Sequence, residues 1–306
     1  MFDCPFLTRA EAIETNKVTP YFADSLGSLK GLTCHDLSFS CISDFLLCSL
    51  ALEALPLREL ILQDCFNYTY HGISYLLSKC RFLQLLDLQD AKFLNDQRIN
   101  ELSVYLADLV SINVSGCYQL TYSSFFALLR NFHLLAEIRM ESTNIGNGSK
   151  PSVDLDSVVY HQVKSLHLAK NLLFKRCLNI KHLNFAFCSW ANLFSINHEA
   201  SKLEVLNLSH SRIDNRALYA ISKICPRLLQ LDLEHCYYVT EKGVRQVVEN
   251  CIHLREINLR SCRKVSTNVV SWMIFSRPSL KKVAAPPHFR PRDNDRKPLF
   301  RRCLVC

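Results

Sequence analysis

The chain has 306 residues, 49% of them hydrophobic and 21% charged, which excludes a disordered protein and leaves room for two average domains or one elongated array. Its net charge of +8 hints at nucleic acid until it is located. From Pro286 to Cys306, six basic residues (Arg290, Arg292, Arg296, Lys297, Arg301, Arg302) face Asp293 and Asp295, so half of the excess lies in that one stretch and the remainder of the chain is unexceptional. No apolar run approaches the ~20 residues of a membrane span, and the N-terminus lacks both a basic n-region and a sustained apolar h-region. A soluble protein, cytoplasmic and/or nuclear, is expected.

Taken in chain order, one pattern recurs: L-x-x-L-x-L-x-x followed by a small residue. A weak copy opens it at Leu32, His35, Leu37, Ser40. Then come copies starting at Leu57, Leu83, Leu109, Leu135, Val163, Ile180, Leu203, Leu228 and Leu254, and a degraded one at Leu280. Eight of the ten steps between copies lie between 23 and 26 residues, the other two being 28 and 17. The alternating L-x-L core predicts a short strand. The segments after it, such as Ala217–Ile221 and Gly243–Val248, have helical spacing, with Thr121, Thr240 and Ser266 placed to cap them. One repeat cannot bury its own apolar face, so the expected fold is an α/β, curved leucine-rich repeat solenoid, with parallel strands on the concave face and helices on the convex face.

The boundaries read as a partial N-terminal repeat or helix over 1–31, a solenoid of about ten to eleven repeats over 32–285, and a basic, disordered tail over 286–306. Thr8-Arg-Ala-Glu11 reads as a capping box opening a short helix. The segment from Glu141 to Gln162 is polar and turn-rich and reads as a long exposed loop, whereas the 17-residue step after it has little room for strand, turn and helix together.

Cysteines make a second repeat. Cys65, Cys117, Cys188, Cys236 and Cys262 close the strand signature, and Cys80, Cys177, Cys225 and Cys251 each stand three residues before the next copy. Metal or redox chemistry is one reading; a small buried side chain that bonds weakly is the favoured one.

The run Cys236-Tyr-Tyr-Val-Thr-Glu-Lys-Gly-Val-Arg-Gln-Val-Val-Glu-Asn-Cys251-Ile-His-Leu254 resembles the cysteine-containing leucine-rich repeats of F-box/LRR proteins, plant ones in particular, and the likeness covers about residues 32 to 285. The resemblance implies a repeat array that holds a target protein, while an F-box recruits the Skp adaptor and cullin of an SCF-type E3 ubiquitin ligase, so that targets are selected for ubiquitin-dependent proteasomal degradation. No chemistry is then expected of this chain, and no cofactor. An F-box is longer than the 31 residues preceding the first copy, so the adaptor is expected to be reached indirectly or through upstream sequence. The alternative is an F-box-less LRR scaffold or regulatory protein that binds a partner without recruiting the ligase.

The third, fifth and seventh positions of each copy are expected on the concave face. There stand Asp36, Glu59, Asp87, Glu137, Glu141, Asp232, Glu234 and Glu256, opposed by Arg139 and Arg260. This acidic inner sheet suits a basic protein segment and is a poor place for nucleic acid, whose affinity rests on Lys and Arg. A second reading stands beside it: Asp and Asn at the fifth position (Asp36, Asp87, Asn113, Asn184, Asn207, Asp232, Asn258) bond along the sheet. Arg139, His167, Lys170, His182, His210 and His235 fall on or beside the middle and late strands, too few cations for an inositol-phosphate floor. Cys303-Leu-Val-Cys306 after a basic cluster reads either as a prenylation signal on Cys303, which would bring a membrane into play, or as the end of a disordered tail.

Overall fold

A computed structural model describes residues 9–11, 31–145, 160–168, 177, 179–187, 202–291 and 301–306. It divides into two units, Met1–Asp156 and Ser157–Cys306, each a curved α/β leucine-rich repeat solenoid in its own right.

The first unit runs β1 (Arg9–Glu11), β2 (Cys34–Asp36), α1 (Asp44–Leu52), β3 (Glu59–Ile61), α2 (Tyr70–Lys79), β4 (Leu85–Asp87), α3 (Asp96–Leu102), β5 (Ser111–Asn113), α4 (Tyr122–Asn131) and β6 (Glu137–Arg139). Its strands pair in parallel in chain order, in register from Cys34↔Glu59 through Leu85 and Ser111 to Glu137. The second unit runs β7 (Ser165–His167), β8 (His182–Asn184), β9 (Val205–Asn207), α5 (Asn215–Ile224), β10 (Gln230–Asp232), α6 (Glu241–Asn250), β11 (Glu256–Asn258), α7 (Asn268–Ser276), β12 (Lys282–Ala284) and β13 (Leu304–Val305), again parallel and in order.

Every strand from β2 to β12 is the third to fifth position of one copy of the pattern. The fourth residue, such as Leu60, Leu86, Leu206 or Leu231, is at most 2% exposed, packed toward the helices, and its neighbours lie on the open face of the sheet. Strands stop after three residues for a reason visible in nine copies among the described residues. The residue at the eighth position takes a left-handed backbone (Phe39, Asp64, Asp90, Gly116, Ser142, Phe187, His210, His235, Ser261), with φ between 54° and 75°. Side chains there are costly, by about 1–2 kcal/mol outside glycine. An inter-repeat bond holds the turn: Phe39 N–H donates to Gln63 O, Asp90 N–H to Ser115 O, and His210 N–H to Glu234 O, at 2.7–2.8 Å.

The ninth position explains the first cysteine phase. The thiols of Cys65, Cys117, Cys236 and Cys262 each donate to the sixth-position carbonyl of the preceding repeat: Leu37, Leu88, Leu208 and Leu233. Ser211 fills the same position and donates its hydroxyl to Phe185 O at 2.9 Å. Burial pushes the Cys65 and Cys262 thiols up to about 11 and those of Cys117 and Cys236 to about 12. The second phase is buried as well, with Cys80 raised to about 11 and Cys177, Cys225 and Cys251 to about 12. Such thiols are poor nucleophiles at neutral pH. Cys188 lies outside the described residues.

The helical side has its own inter-repeat joint. Asp44, the first residue of α1, accepts from Thr69 N–H (2.7 Å) and Thr69 Oγ1 (2.6 Å) at the cap of α2. Asp96 does the same for Thr121, and Ser124 also donates to it. In the second unit Asn215 bonds Thr240 at 2.9–3.0 Å. A Cβ on Gly72 or Gly243 would run into Asp44 or Asn215, which is why glycine stands inside those two helices. Thr121 caps its own helix as expected, whereas the Thr240 hydroxyl is used on Asn215 and makes no cap bond within α6.

Two expectations at the ends are corrected. Arg9–Glu11 is a strand paired with β2, Arg9 opposite Cys34, not the opening of a helix. The 25-residue offset is the repeat period, and a parallel partner outweighs the local preference of a capping box. The tail reading fails for residues 301–306: Leu304 and Val305 form β13 on β12, with Leu304 N–H to Lys281 O and Cys306 N–H to Val283 O. Between those ends, the 17-residue step keeps β7 and β8 in register, Leu166 opposite Leu183, so the shortened repeat does not interrupt the sheet there. Residues 146–159 of the long polar segment lie outside the described residues.

Candidate functional site

The open face of the first unit carries two rows. The third positions are Cys34, Glu59, Leu85, Ser111 and Glu137; the fifth are Asp36, Ile61, Asp87, Asn113 and Arg139. Acids outnumber cations here. Arg139 lies against Glu137 through two contacts of 2.8 Å on the same strand, and Ser111 Oγ holds the other oxygen of Glu137. That pair is half in water and contributes at most about 1 kcal/mol, but it neutralises Arg139, the arginine of these two rows.

At the fifth position the side chains bond mainly within their own strand ends rather than along the sheet. Asp36 Oδ1 accepts from Ser38 N–H and Asp87 Oδ1 from Gln89 N–H, and Asn113, Asn184, Asn207, Asp232 and Asn258 each accept from the N–H two residues on. These side chains close the strand ends. Asp87 also receives the Asn113 amide at 2.8 Å, yet burial pushes its carboxyl above the usual range against both bonds. The third and seventh positions add Glu59 and Glu141, the latter with its N–H on Ser115 Oγ at 3.2 Å. At the loop edge, burial and the adjacent carboxyl of Asp90 push Asp64 up as well.

The second unit is different. Its open face holds a hollow of about 340 Å³ over β9 to β13, lined by Asn207, Gln230, Asp232, Glu256, Arg260 and Lys282 among others. Lys282 pairs with Glu256 at 3.5 Å, Gln230 donates to Glu256 at 3.4 Å, and Asn258 donates to Glu234 at 3.2 Å. Charge is nearly balanced in this hollow. The acidic inner sheet read from the whole chain is therefore a property of the first unit; Asp232, Glu234 and Glu256 sit in a mixed polar setting. His167 and His182 lie on strands, and His210 and His235 beside them, three residues past the ends of β9 and β10 at the loop edge. Lys170 lies outside the described residues.

Cys303 is 3% exposed, with its thiol near Leu304 O. A prenyl group there would require β13 to leave the sheet. Among the described residues no group of three His, Cys, Asp or Glu side chains is arranged to hold a metal, and no helix is long and apolar enough to cross a membrane. The sequence reading missed the loop edge of the second unit, where Phe187, Arg212, Tyr237, Tyr238, Arg263 and Lys264 gather. Its signal was available in the eighth, tenth and eleventh positions of successive copies, which lie outside the strand pattern.

These features define the class: a leucine-rich repeat array. No family model matches the chain. It is similar to F-box protein SKIP1 of Arabidopsis thaliana, 20% identical over 190 residues, which are 61% of this chain and 54% of that protein; the chain thus spans about half the length of the curated relative it matches. Among solved structures it resembles Rad7, from a crystal structure of the yeast Rad7 and Elc1 complex (TM-score 0.54, 17% identity, 92% of this chain and 80% of that one). It also resembles the internalin InlF of Listeria monocytogenes (TM-score 0.59, 12% identity, 98% and 82%). Both structural likenesses concern the fold alone.

Proposed function

We propose that the chain is the target-binding part of an SCF-type E3 ubiquitin ligase, holding a basic segment of a target protein on the open face of its first unit so that the target is ubiquitinated and degraded. The observation that carries the reading is the charge of that face: Asp36, Glu59, Asp87, Glu137 and Glu141 stand against Arg139, which Glu137 already neutralises. A cationic segment gains steering and register from such a row. The likeness to an F-box protein supports the ligase context, and the resemblance of the cysteine repeats to F-box/LRR proteins supports it further. Skp adaptor and cullin are the implied partners, in the cytoplasm or nucleus. The alternative is an LRR scaffold that binds its partner without the ligase.

A fluorescent Lys/Arg-rich peptide titrated into the full chain tests the face. Glu59→Lys with Glu141→Lys is expected to weaken binding about tenfold or more at low salt. Unchanged affinity would move the target elsewhere. Co-purification with a recombinant Skp adaptor separates the ligase reading from the scaffold.

A further inference from the structure

Along the loop edge of the second unit, consecutive repeats bring equal positions into line. At the eighth position the rings of Phe187 and His210 stack at 4.5 Å and 11°, and those of His210 and His235 at 4.3 Å and 22°. Tyr237 stands edge-on to His235, its hydroxyl 2.8 Å from Nδ1. At the tenth position Arg212, Tyr237 and Arg263 follow one another in successive repeats, and the Arg263 guanidinium lies 6.0 Å from the Tyr237 ring centre. Lys264 lies 5.2 Å over Tyr238. Both tyrosines, Arg212, Arg260, Arg263 and Lys264 are exposed.

None of these four cations has a carboxylate within ion-pair distance among the described residues; Glu234, 3.8 Å from His235, is the acid beside them. A stacked row of rings is already ordered, so covering it loses little side-chain entropy. Tyr and Arg are also the side chains that carry most energy in protein interfaces. We propose that this edge docks an acidic, Asp/Glu-rich segment of a partner protein, with carboxylates meeting Arg212, Arg260, Arg263 and Lys264 and the backbone crossing the His210–His235–Tyr237 row. Nucleic acid fits less well. Its bases need free ring faces, which this stack spends on itself. The surface is separate from the acidic face of the first unit and stands whether or not that face binds a basic segment.

The test is fluorescence anisotropy with a labelled 15-residue Glu/Asp peptide on the full chain at low salt. Arg212→Glu with Arg263→Glu is expected to weaken binding about tenfold, and Tyr237→Ala about threefold. Arg216→Glu with Lys242→Glu, the same charge change on the helical side, should leave it within about twofold. Equal losses in both double variants would mean attraction by net charge alone and would overturn the proposal. So would an absence of binding by the unaltered chain, or a single-stranded oligonucleotide that binds more tightly and loses affinity in the same edge variant. Circular dichroism of each variant excludes unfolding as the cause.

Discussion

Raising the pH should unfold this protein earlier than its hydrophobic core alone would suggest. Eight thiols at the two repeating positions (Cys65, Cys80, Cys117, Cys177, Cys225, Cys236, Cys251, Cys262) stand at about 11 to 12 in the fold against an ordinary value of 9.0, with burial as the leading cause. For an acid whose folded value is raised, stability is fully present below the unfolded value and is lost as pH climbs from there toward the folded one. At pH 9.5 an unfolded thiol is about three-quarters ionised while the buried one stays protonated, which lowers stability by somewhat under 1 kcal/mol per thiol. Eight of them remove roughly 6 kcal/mol, comparable to the whole of a typical ΔG of about 5–15 kcal/mol. Urea melts followed by far-UV circular dichroism under reducing conditions, at pH 7.5, 8.5 and 9.5, give the slope; most lysines and tyrosines have not yet titrated there. A stability that falls by less than about 1 kcal/mol across that range would refute the burial of these thiols.

Further outcomes follow from the inter-repeat joints. Cys236→Ala removes the thiol that donates to Leu208 O and is expected to cost about 1–2 kcal/mol in a chemical melt. Cys236→Ser should cost less, because Ser211 already fills that position and makes the same bond; a serine variant worse than alanine would contradict the assigned role. Gly243→Ala would ordinarily gain helix propensity, but here its Cβ meets Asn215 Oδ1 at 2.5 Å and Leu218 Cδ1 at 3.0 Å, so a net loss of about 1–3 kcal/mol is expected. A rise in melting temperature for that variant would show the joint to be slack.

Much of the fold is legible in the residues. Leucine spacing places every strand from β2 to β12, because the fourth and sixth positions must be buried in each copy whatever surrounds them. The two outermost strands were hidden for the same reason: Leu7-Thr-Arg-Ala10-Glu-Ala12 keeps the spacing with alanines, and β13 has Val305 opposite Val283 with Arg302 where a copy would begin with an aliphatic residue. Their pairing comes from the neighbouring strand rather than from their own pattern. Thr8 and Glu11 fit a capping box equally well, and only the parallel partner decides. The acidic face was legible as a set of charges but not as a distribution. Asp36 and Asp232 turned out to close strand ends, and the surplus of acid gathered in the first unit. The ring stack from Phe187 to His235 needed coordinates, since nothing in a single repeat announces that eighth positions touch across repeats.

The central claim is that the acidic face of the first unit selects a target for a ubiquitin ligase. Quantitative affinity purification of the tagged full chain from cells, alongside the Glu59→Lys and Glu141→Lys double variant, tests it most directly. The account predicts Skp adaptor and cullin with both forms, and a basic target with the unaltered chain alone. Adaptor and cullin missing from both, or a target retained by the charge-reversed form, would contradict it.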